Sequence, residues 1–239
     1  MTDFSVLLNE NRSFPPSPAF AAAAHVNSPA LHASASAAPE AFWEAQARQL
    51  DWITPFTRVL DWTPPHATWF ADGTLNIAAN CVDRHALGDK RNQAAIIWEG
   101  EPGDQKILTY QELHRQVCHF ANALKKLDVT AGSRVAIYMP MVPEAVFAML
   151  ACVRLGAIHS VVFGGFASHS LASRIDDAKP KLMFTADAGM RGGRAIPYMP
   201  LVDEALRLAK HPPRNVIVVN RGIDKDYKPA AGRDLDYGT

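Results

Sequence analysis

The residues with the clearest chemical logic in this sequence are Arg191-Gly192-Gly193-Arg194, two arginines separated by two glycines. Two guanidinium groups three residues apart can donate bidentate hydrogen bonds to phosphate oxygens, and the glycines leave room for a ligand to approach the backbone. This pattern favours a phosphorylated ligand. Arginine pairs of this spacing also occur as solvated surface charge or in local ion pairs. The spacing alone leaves both interpretations open.

A second candidate site is Gly164-Gly165, which directly follows an apolar run. These glycines could let a ligand pass close to the main chain, or they could form a tight turn between a strand and a helix. They do not belong to a dinucleotide fingerprint, because Phe166 and His169 stand where that motif needs glycine. The sequence also contains no Walker A, H-E-x-x-H or G-x-S-x-G motif. Residue spacing therefore identifies no catalytic residue and no metal ligand.

Composition limits the classes of partner. The sequence has 24 Lys and Arg against 24 Asp and Glu, so no net charge draws the chain to nucleic acid or to an anionic membrane. No apolar run approaches the length of a membrane span, and the N-terminus is acidic before it is basic, unlike a secretory signal. We expect a cytoplasmic protein that binds small molecules. The sequence does not determine its oligomeric state. Three cysteines without a CxxC pair indicate buried, reduced thiols: Cys81, Cys118 and Cys152.

The elements that must position these residues centre on one βαβ unit, residues 135–166. An apolar run at 135–139 stops at Pro140, Pro143 and Glu144 open a helix, and residues 157–163 form a second apolar run. Two parallel strands joined by a right-handed crossover follow from this order. Ligands bind at the carboxyl ends of such strands, which is where Gly164-Gly165 lies.

The rest of the chain continues an alternating β/α pattern. Asn76 predicts the start of a helix, and Thr109 with Glu112 predicts a capping box for another. Ser168 or Ser170 can cap a further helix. The predicted elements are helices at 40–50, 77–85, 110–127, 168–175 and 201–209, hairpin strands at 94–99 and 106–108, and strands at 181–185 and 215–219. Residues 187–194 are predicted to form a loop after a strand. The aromatic residues between 42 and 70 are predicted to anchor an arm by packing. The tail from residue 220 is polar and rich in turns and is predicted to add no further helix or strand.

Five stretches carry a further signal. They are PEAFWEAQARQLDWITPFTRVLDWTPPHATWFADGTLNIAANCVDRH, AIIWEGEPGD, TYQELHRQVCHFANALKKL, RVAIYMPMVPEAVFAMLACVRLGAIHSVVFGGF and TADAGMRGGRAIP. Taken together and in this order, they resemble the N-terminal part of the AMP-forming acetyl-CoA synthetases, which are adenylate-forming ligases. The resemblance implies the N-terminal subdomain of such a ligase, a three-layer α/β/α structure around a mostly parallel sheet, preceded by an extended arm.

The resemblance also implies an activity. Such enzymes join acetate to ATP as acetyl-adenylate with release of pyrophosphate, assisted by Mg²⁺, and coenzyme A then displaces AMP. ATP, coenzyme A and Mg²⁺ are therefore expected for the full-length enzyme, and coenzyme A alone has a candidate site in this chain. By the resemblance, Arg191 to Arg194 contact the phosphorylated adenosine end of coenzyme A, and Gly164-Gly165 lie along the pantetheine arm.

The resemblance predicts four regions. They are a mobile leader at 1–38, an N-terminal arm at 39–90, the first part of the AMP-binding domain at 91–221 and an irregular tail at 222–239. The family's phosphate loop, T-S-G-[ST]-T-G-x-P-K-G, and its catalytic lysine have no counterpart here. We expect a fragment, a truncated product or a frameshifted one, which alone does not make acetyl-CoA.

Three alternatives to the acetate–CoA ligase interpretation stay open. One is a non-catalytic remnant that binds coenzyme A or another nucleotide through the same arginines. Another is a structural role, in which an exposed sheet edge pairs with a partner. The third is a ligase of the same class that prefers propionate, since the acyl pocket lies outside the residues that resemble the family.

Overall fold

The computed structural model describes residues 12–238. The described residues form two compact units: one contains residues 12–50 together with 56–73, and the other contains residues 51–55 and 74–238. The predicted leader lies partly outside the described residues. Its described part forms the helices Pro18–Ala23 and Ala30–Ala37, neither of which has a buried residue. The mobility of the leader and the four predicted region boundaries stay predictions.

The first unit also contains the helix Pro39–Ala47 and an antiparallel pair of strands, Leu60–Thr63 with His66–Trp69. Phe56 is buried, with its ring centroid 4.6 Å from that of Phe70. The prediction that the aromatic residues are packing anchors is right for Phe56, but Trp62 is 60% exposed. The pKa of Asp72 is lowered to about 2, mainly because its carboxylate accepts a hydrogen bond from the Thr57 hydroxyl.

The second unit is organised by a five-stranded sheet in which all neighbouring strands run parallel. The spatial order of the strands is β5-β4-β3-β1-β2. Numbered along the chain, they are β1 (Arg134–Met139), β2 (Ile158–Phe163), β3 (Leu182–Ala186), β4 (Asn215–Val219) and β5 (Asp234–Asp236). Four helices accompany them: α1 (Tyr110–Lys126), α2 (Pro143–Arg154), α3 (Ser168–Ala178) and α4 (Met199–Leu208).

Alternation along the strands divides the core into two faces. Val135 and Ile137 of β1 pack in one cluster with residues of α1 and α2, whereas Ala136 and Tyr138 pack in another with residues of α3 and α4. Successive side chains of a strand point to opposite faces, so each central strand supplies both clusters. The predicted three-layer α/β/α architecture around a parallel sheet is confirmed.

Shorter elements complete the second unit. Trp52–Thr54 pairs with Thr74–Leu75, and Ala94–Glu99 pairs with Gln105–Thr109 as the predicted hairpin. The helix capped by Asn76 is present, and its Ala79–Asp83 segment is a π-helix that runs into Arg84–Ala86. The predicted helix is therefore confirmed, and part of it is wound as a π-helix.

Local capping signals predicted one helix start well and another poorly. Thr109 and Glu112 form the predicted capping box at the start of α1. The start of α3 differs, because Ala167 is its N-cap residue and no side chain caps it. The prediction that Ser168 or Ser170 caps this helix is therefore wrong, since Ser168 is already helical.

Strand β5 corrects the prediction that the tail offers no closing element. Asp234 to Asp236 pair in parallel with Val216 to Val218, and Tyr237 packs with its ring centroid 4.6 Å from that of Phe120. Two charged residues hold the approach to the strand, since Arg233 donates to Asp234 and Asp234 accepts from the Ala230 amide. A three-residue strand flanked by charge carries no apolar pattern that sequence reasoning could read.

The cysteines differ in environment, so the prediction that all three are buried holds only for Cys152. Cys81 is exposed and Cys118 is intermediate. Separately, within residues 12–238 no helix is both long and apolar enough to cross a bilayer.

These environments predict selective thiol labelling. Burial raises the pKa of Cys152 to about 12, so very little of it is the reactive thiolate at pH ~8. In a Cys118→Ser background, we expect Ellman's reagent to modify Cys81 rapidly and Cys152 only when urea unfolds the protein. Adding Cys81→Ser should abolish the rapid phase, and rapid modification that survives this change would contradict the buried position of Cys152.

Candidate functional site

The Arg191-Gly192-Gly193-Arg194 segment forms the tip of a β-hairpin. We call the antiparallel strands Ala188–Arg191 and Arg194–Pro197, with the two glycines between them, the arginine hairpin. Gly192 and Gly193 have φ values of +58° and +72°, as a two-residue turn with both central residues in the left-handed region requires. A loop was predicted for this segment, and that prediction is wrong. Two glycines between short strands are a hairpin signal, but strands of four residues hid it.

The hairpin sets the two arginines against each other. Arg191 and Arg194 are directly paired across the strands at the turn, so their side chains project from the same face. Both are exposed, and within residues 12–238 neither forms an ion pair with an acidic side chain. Like charges directly opposite each other are unfavourable. An anion between the guanidinium groups would relieve this repulsion and accept hydrogen bonds from both.

The turn glycines are required by the backbone rather than by packing. A Cβ atom added at Gly192 or Gly193 would meet no other atom within 4 Å. Their positive φ values are what other side chains rarely adopt. The space on the Cβ side of both glycines is therefore open to a ligand.

Asp187 holds the base of the arginine hairpin. It immediately follows β3, and its carboxylate is fully buried. The carboxylate accepts hydrogen bonds from the amides of Arg221, Ile223 and Asp224 at 3.0, 2.8 and 3.1 Å. The Asp187 carbonyl accepts from the Tyr198 amide at 2.9 Å, just beyond the second hairpin strand. One residue therefore joins both ends of the hairpin to the loop after β4.

Arg221 was not singled out from the sequence, yet it lies at this base. Its Nη1 donates to the Ala188 carbonyl oxygen at 3.3 Å. Burial raises the pKa of Tyr198, and the positive charges of Arg191 and Arg221 oppose that rise. Two cationic groups therefore lie near one buried phenol. Only the position of Arg221 shortly after a buried strand could have pointed to it.

Tyr198 connects the two predicted site segments. A Cβ atom on Gly164 would lie 2.2 Å from the Tyr198 hydroxyl oxygen, and one on Gly189 of the arginine hairpin would lie 3.3 Å from the same ring. The structure thus brings Gly164-Gly165 and the arginine hairpin together at the carboxyl edge of the parallel sheet. Packing against Tyr198 is by itself sufficient reason for glycine at 164.

Tyr138 holds the Gly164-Gly165 turn through hydrogen bonds to its backbone. Its hydroxyl donates to the carbonyl oxygens of Gly164 and Phe166 at 3.2 and 2.9 Å, and its ring centroid lies 5.1 Å from that of Tyr198. Burial raises the pKa of Tyr138 to about 12, so this hydroxyl keeps its proton at neutral pH. The turn is therefore held by a permanent donor.

Exposed apolar groups and a second hairpin adjoin the same edge of the sheet. Met141 lies just after β1, Phe163 is the last residue of β2, and both side chains are largely exposed. Trp98 of the hairpin at 94–109 donates through Nε1 to the Met141 carbonyl oxygen at 2.7 Å. At the tip of this hairpin, Glu101 accepts a hydrogen bond from the Gly193 amide at 2.6 Å. The edge therefore combines cationic, acidic and apolar groups around open backbone.

A separate cleft of about 660 Å³ lies between α1 and the end of the described chain. Phe120, Phe184, Leu235 and Tyr237 line it, and none of the predicted site residues does. Among residues 12–238, no group of three or more His, Cys, Asp or Glu side chains is arranged to hold a metal ion.

A parallel sheet with arginines and glycine turns at its carboxyl edge is the arrangement in which α/β proteins bind phosphorylated ligands. The chain belongs to the AMP-binding enzyme family, whose model matches residues 82–236. Residues 29–81 match a second model, described as the acetyl-coenzyme A synthetase N-terminus. These matches confirm the resemblance drawn from the sequence.

Individual relatives agree. The chain is 54% identical over 221 residues to the acetyl-coenzyme A synthetase of Gemmatimonas aurantiaca, a match that covers 92% of this chain and 34% of the relative. It is 49% identical over 202 residues to the propionate–CoA ligase of Escherichia coli, covering 84% and 32% of the two chains. The solved structure of acetoacetyl-CoA synthetase from Streptomyces lividans superposes with a TM-score of 0.77 at 30% identity, covering 92% of this chain and 34% of that one. The chain thus spans about a third of the length of these relatives.

The contact between Tyr198 and the glycine turn predicts a coupled pair of substitutions. Gly164→Ala should lower the free energy of unfolding by about 1–3 kcal/mol, because the new methyl group overlaps the Tyr198 hydroxyl. In a Tyr198→Phe background the nearest atom is gone, so the same change should cost less. Urea unfolding of the two single variants and the double variant measures the coupling. Strictly additive losses would show that the two side chains do not compete for space.

Proposed function

We propose that this chain provides part of the coenzyme A site of an acetate–CoA ligase, which activates acetate with ATP as acetyl-adenylate and transfers the acetyl group to coenzyme A. The observation that carries the proposal is the pairing of Arg191 with Arg194 across a glycine turn. Family membership supports it, as do relatives named acetyl-coenzyme A synthetase at about half identity.

The arginines fit the phosphorylated adenosine end of coenzyme A. Each guanidinium group presents a planar set of donors that matches phosphate oxygens, and the shared face lets both grip one phosphate. Asp187 and Tyr198 hold the hairpin base, so less of the binding free energy is spent on ordering the tip. Coenzyme A supplies a thiol as the nucleophile of the second half-reaction. The residues of this chain bind and orient its nucleotide end.

The glycine turn is proposed to lie along the pantetheine arm. Gly165 is exposed and Gly164 is half-buried, and the exposed side chains of Met141 and Phe163 lie at the same edge of the sheet. A pantetheine arm has amide groups for the backbone and methylene groups for the apolar side chains. Rigid placement of the turn by Tyr138 supports this role. ATP and Mg²⁺ are proposed for the whole enzyme, without assignment to residues described here.

A propionate-preferring ligase is the second candidate, and the propionate–CoA ligase relative is the observation that favours it. Both candidates use coenzyme A, so the site proposed here is the same for either. A non-catalytic coenzyme A-binding protein would also share it. These functions differ in their acyl and adenylate sites. The arginine hairpin is proposed to bind only coenzyme A, so it does not distinguish among them.

The proposal predicts phosphate-dependent binding. In calorimetry with the purified chain, coenzyme A should bind more tightly than 3′-dephospho-coenzyme A. Arg191→Ala and Arg194→Ala should each weaken coenzyme A binding by about tenfold or more, because each removes a charge-assisted hydrogen bond worth about 1.5–3 kcal/mol. The affinity for the dephospho form should change little.

Arg214→Ala is the matched control, since Arg214 is exposed and precedes β4 at the opposite, amino edge of the sheet. It should leave both affinities unchanged. Equal affinity of the wild type for the two coenzyme forms would contradict the phosphate clamp, as would a loss that is the same for Arg214→Ala and Arg191→Ala.

A further inference from the structure

The hydrogen bond between Glu101 and Gly193 joins two turns that are 92 residues apart in sequence. Glu101 lies between the strands Ala94–Glu99 and Gln105–Thr109, at the tip of their hairpin. Its Oε1 atom accepts from the Gly193 amide at 2.6 Å, a short distance of the kind found in charge-assisted hydrogen bonds. A carboxylate therefore occupies a backbone donor in the middle of the sequence that supplies the two arginines.

The position of Glu101 is set by the framework beneath it. Trp98 donates from the same hairpin to the Met141 carbonyl oxygen at 2.7 Å. Lys106 on the other strand forms an ion pair with Glu144, at 3.6 Å, where α2 begins. These two contacts fix the hairpin to the segment after β1. They therefore position Glu101 at the edge of the sheet where the arginine hairpin lies.

The carboxylate lies where a ligand phosphate would compete with it. Gly193 is the residue next to Arg194, and its amide points to Glu101. Backbone amides of a glycine turn are good donors to phosphate, so this amide would otherwise serve the ligand. Glu101 forms no ion pair with either arginine, so the two cationic groups stay available to an anion. An incoming phosphate thus meets two attractive charges and one repulsive charge.

We propose that Glu101 is a specificity-determining residue of the arginine hairpin, an acidic group that occupies the Gly193 amide and must yield it to a phosphate. This inference rests on the proposed coenzyme A site. Glu101 lowers the affinity for a ligand that places a phosphate between the two arginines, because its carboxylate repels that phosphate and occupies the Gly193 amide. It leaves unaffected a ligand that lacks a phosphate at this position, such as 3′-dephospho-coenzyme A.

The test compares Glu101→Gln and Glu101→Ala with Glu99→Gln. Glu99 is exposed in the same hairpin, and its replacement removes the same charge without touching the arginine hairpin. In calorimetry at low salt, both Glu101 variants should bind coenzyme A about three- to fivefold more tightly than the wild type, in line with exposed charge interactions. Affinity for 3′-dephospho-coenzyme A should be unchanged, and the gain should shrink as the salt concentration rises.

The possible outcomes separate this inference from the proposed function. If the wild type binds coenzyme A and the Glu101 variants bind it equally or more weakly, the inference is overturned while the proposed function stands. The inference is also overturned if Glu99→Gln gives the same gain, because a diffuse charge effect then suffices. If neither the wild type nor the Glu101 variants bind coenzyme A, the proposed function itself fails and the inference fails with it.

Discussion

The site at the edge of the sheet depends on one buried carboxylate. The polar side chain of Asp187 has no access to solvent, which is tolerable because three backbone amides donate hydrogen bonds to it. Those amides belong to the loop after β4, and the backbone of Asp187 also anchors the arginine hairpin. Removing the carboxylate would leave three donors without their partner. Asp187 therefore positions the hairpin and the loop relative to each other.

On this base the structure presents charge on rigid backbone. A two-residue glycine turn places Arg191 and Arg194 on one face of the hairpin, so the backbone itself holds the two like charges near each other. Tyr198 and Tyr138 pack against the adjoining glycine turn and hold it at the same edge. Residues from three separated stretches of sequence thereby converge at the carboxyl ends of parallel strands, where α/β proteins bind ligands.

Sequence reasoning succeeded where the signal was local. The capping box of Thr109 and Glu112 and the apolar runs of the βαβ unit lie within a few residues of what they specify. It failed at Asp234–Asp236, whose strand exists because β4 offers a parallel partner. It also read the arginine hairpin as a loop, since its strands are too short to show alternation. The contact between Glu101 and Gly193 depends on tertiary placement and left no trace in the sequence pattern.

The most direct test of the account is the location of bound coenzyme A on the backbone. With ¹⁵N-glycine labelling, the spectrum contains only the amides of the 14 glycines, and replacing one glycine at a time with alanine assigns each resonance. We predict that coenzyme A shifts the resonances of Gly192, Gly193 and Gly164, while Gly132 and Gly156, which precede β1 and β2, stay unchanged. Shifts confined to Gly238, which lines the separate cleft, with none at Gly192 and Gly193 would contradict it.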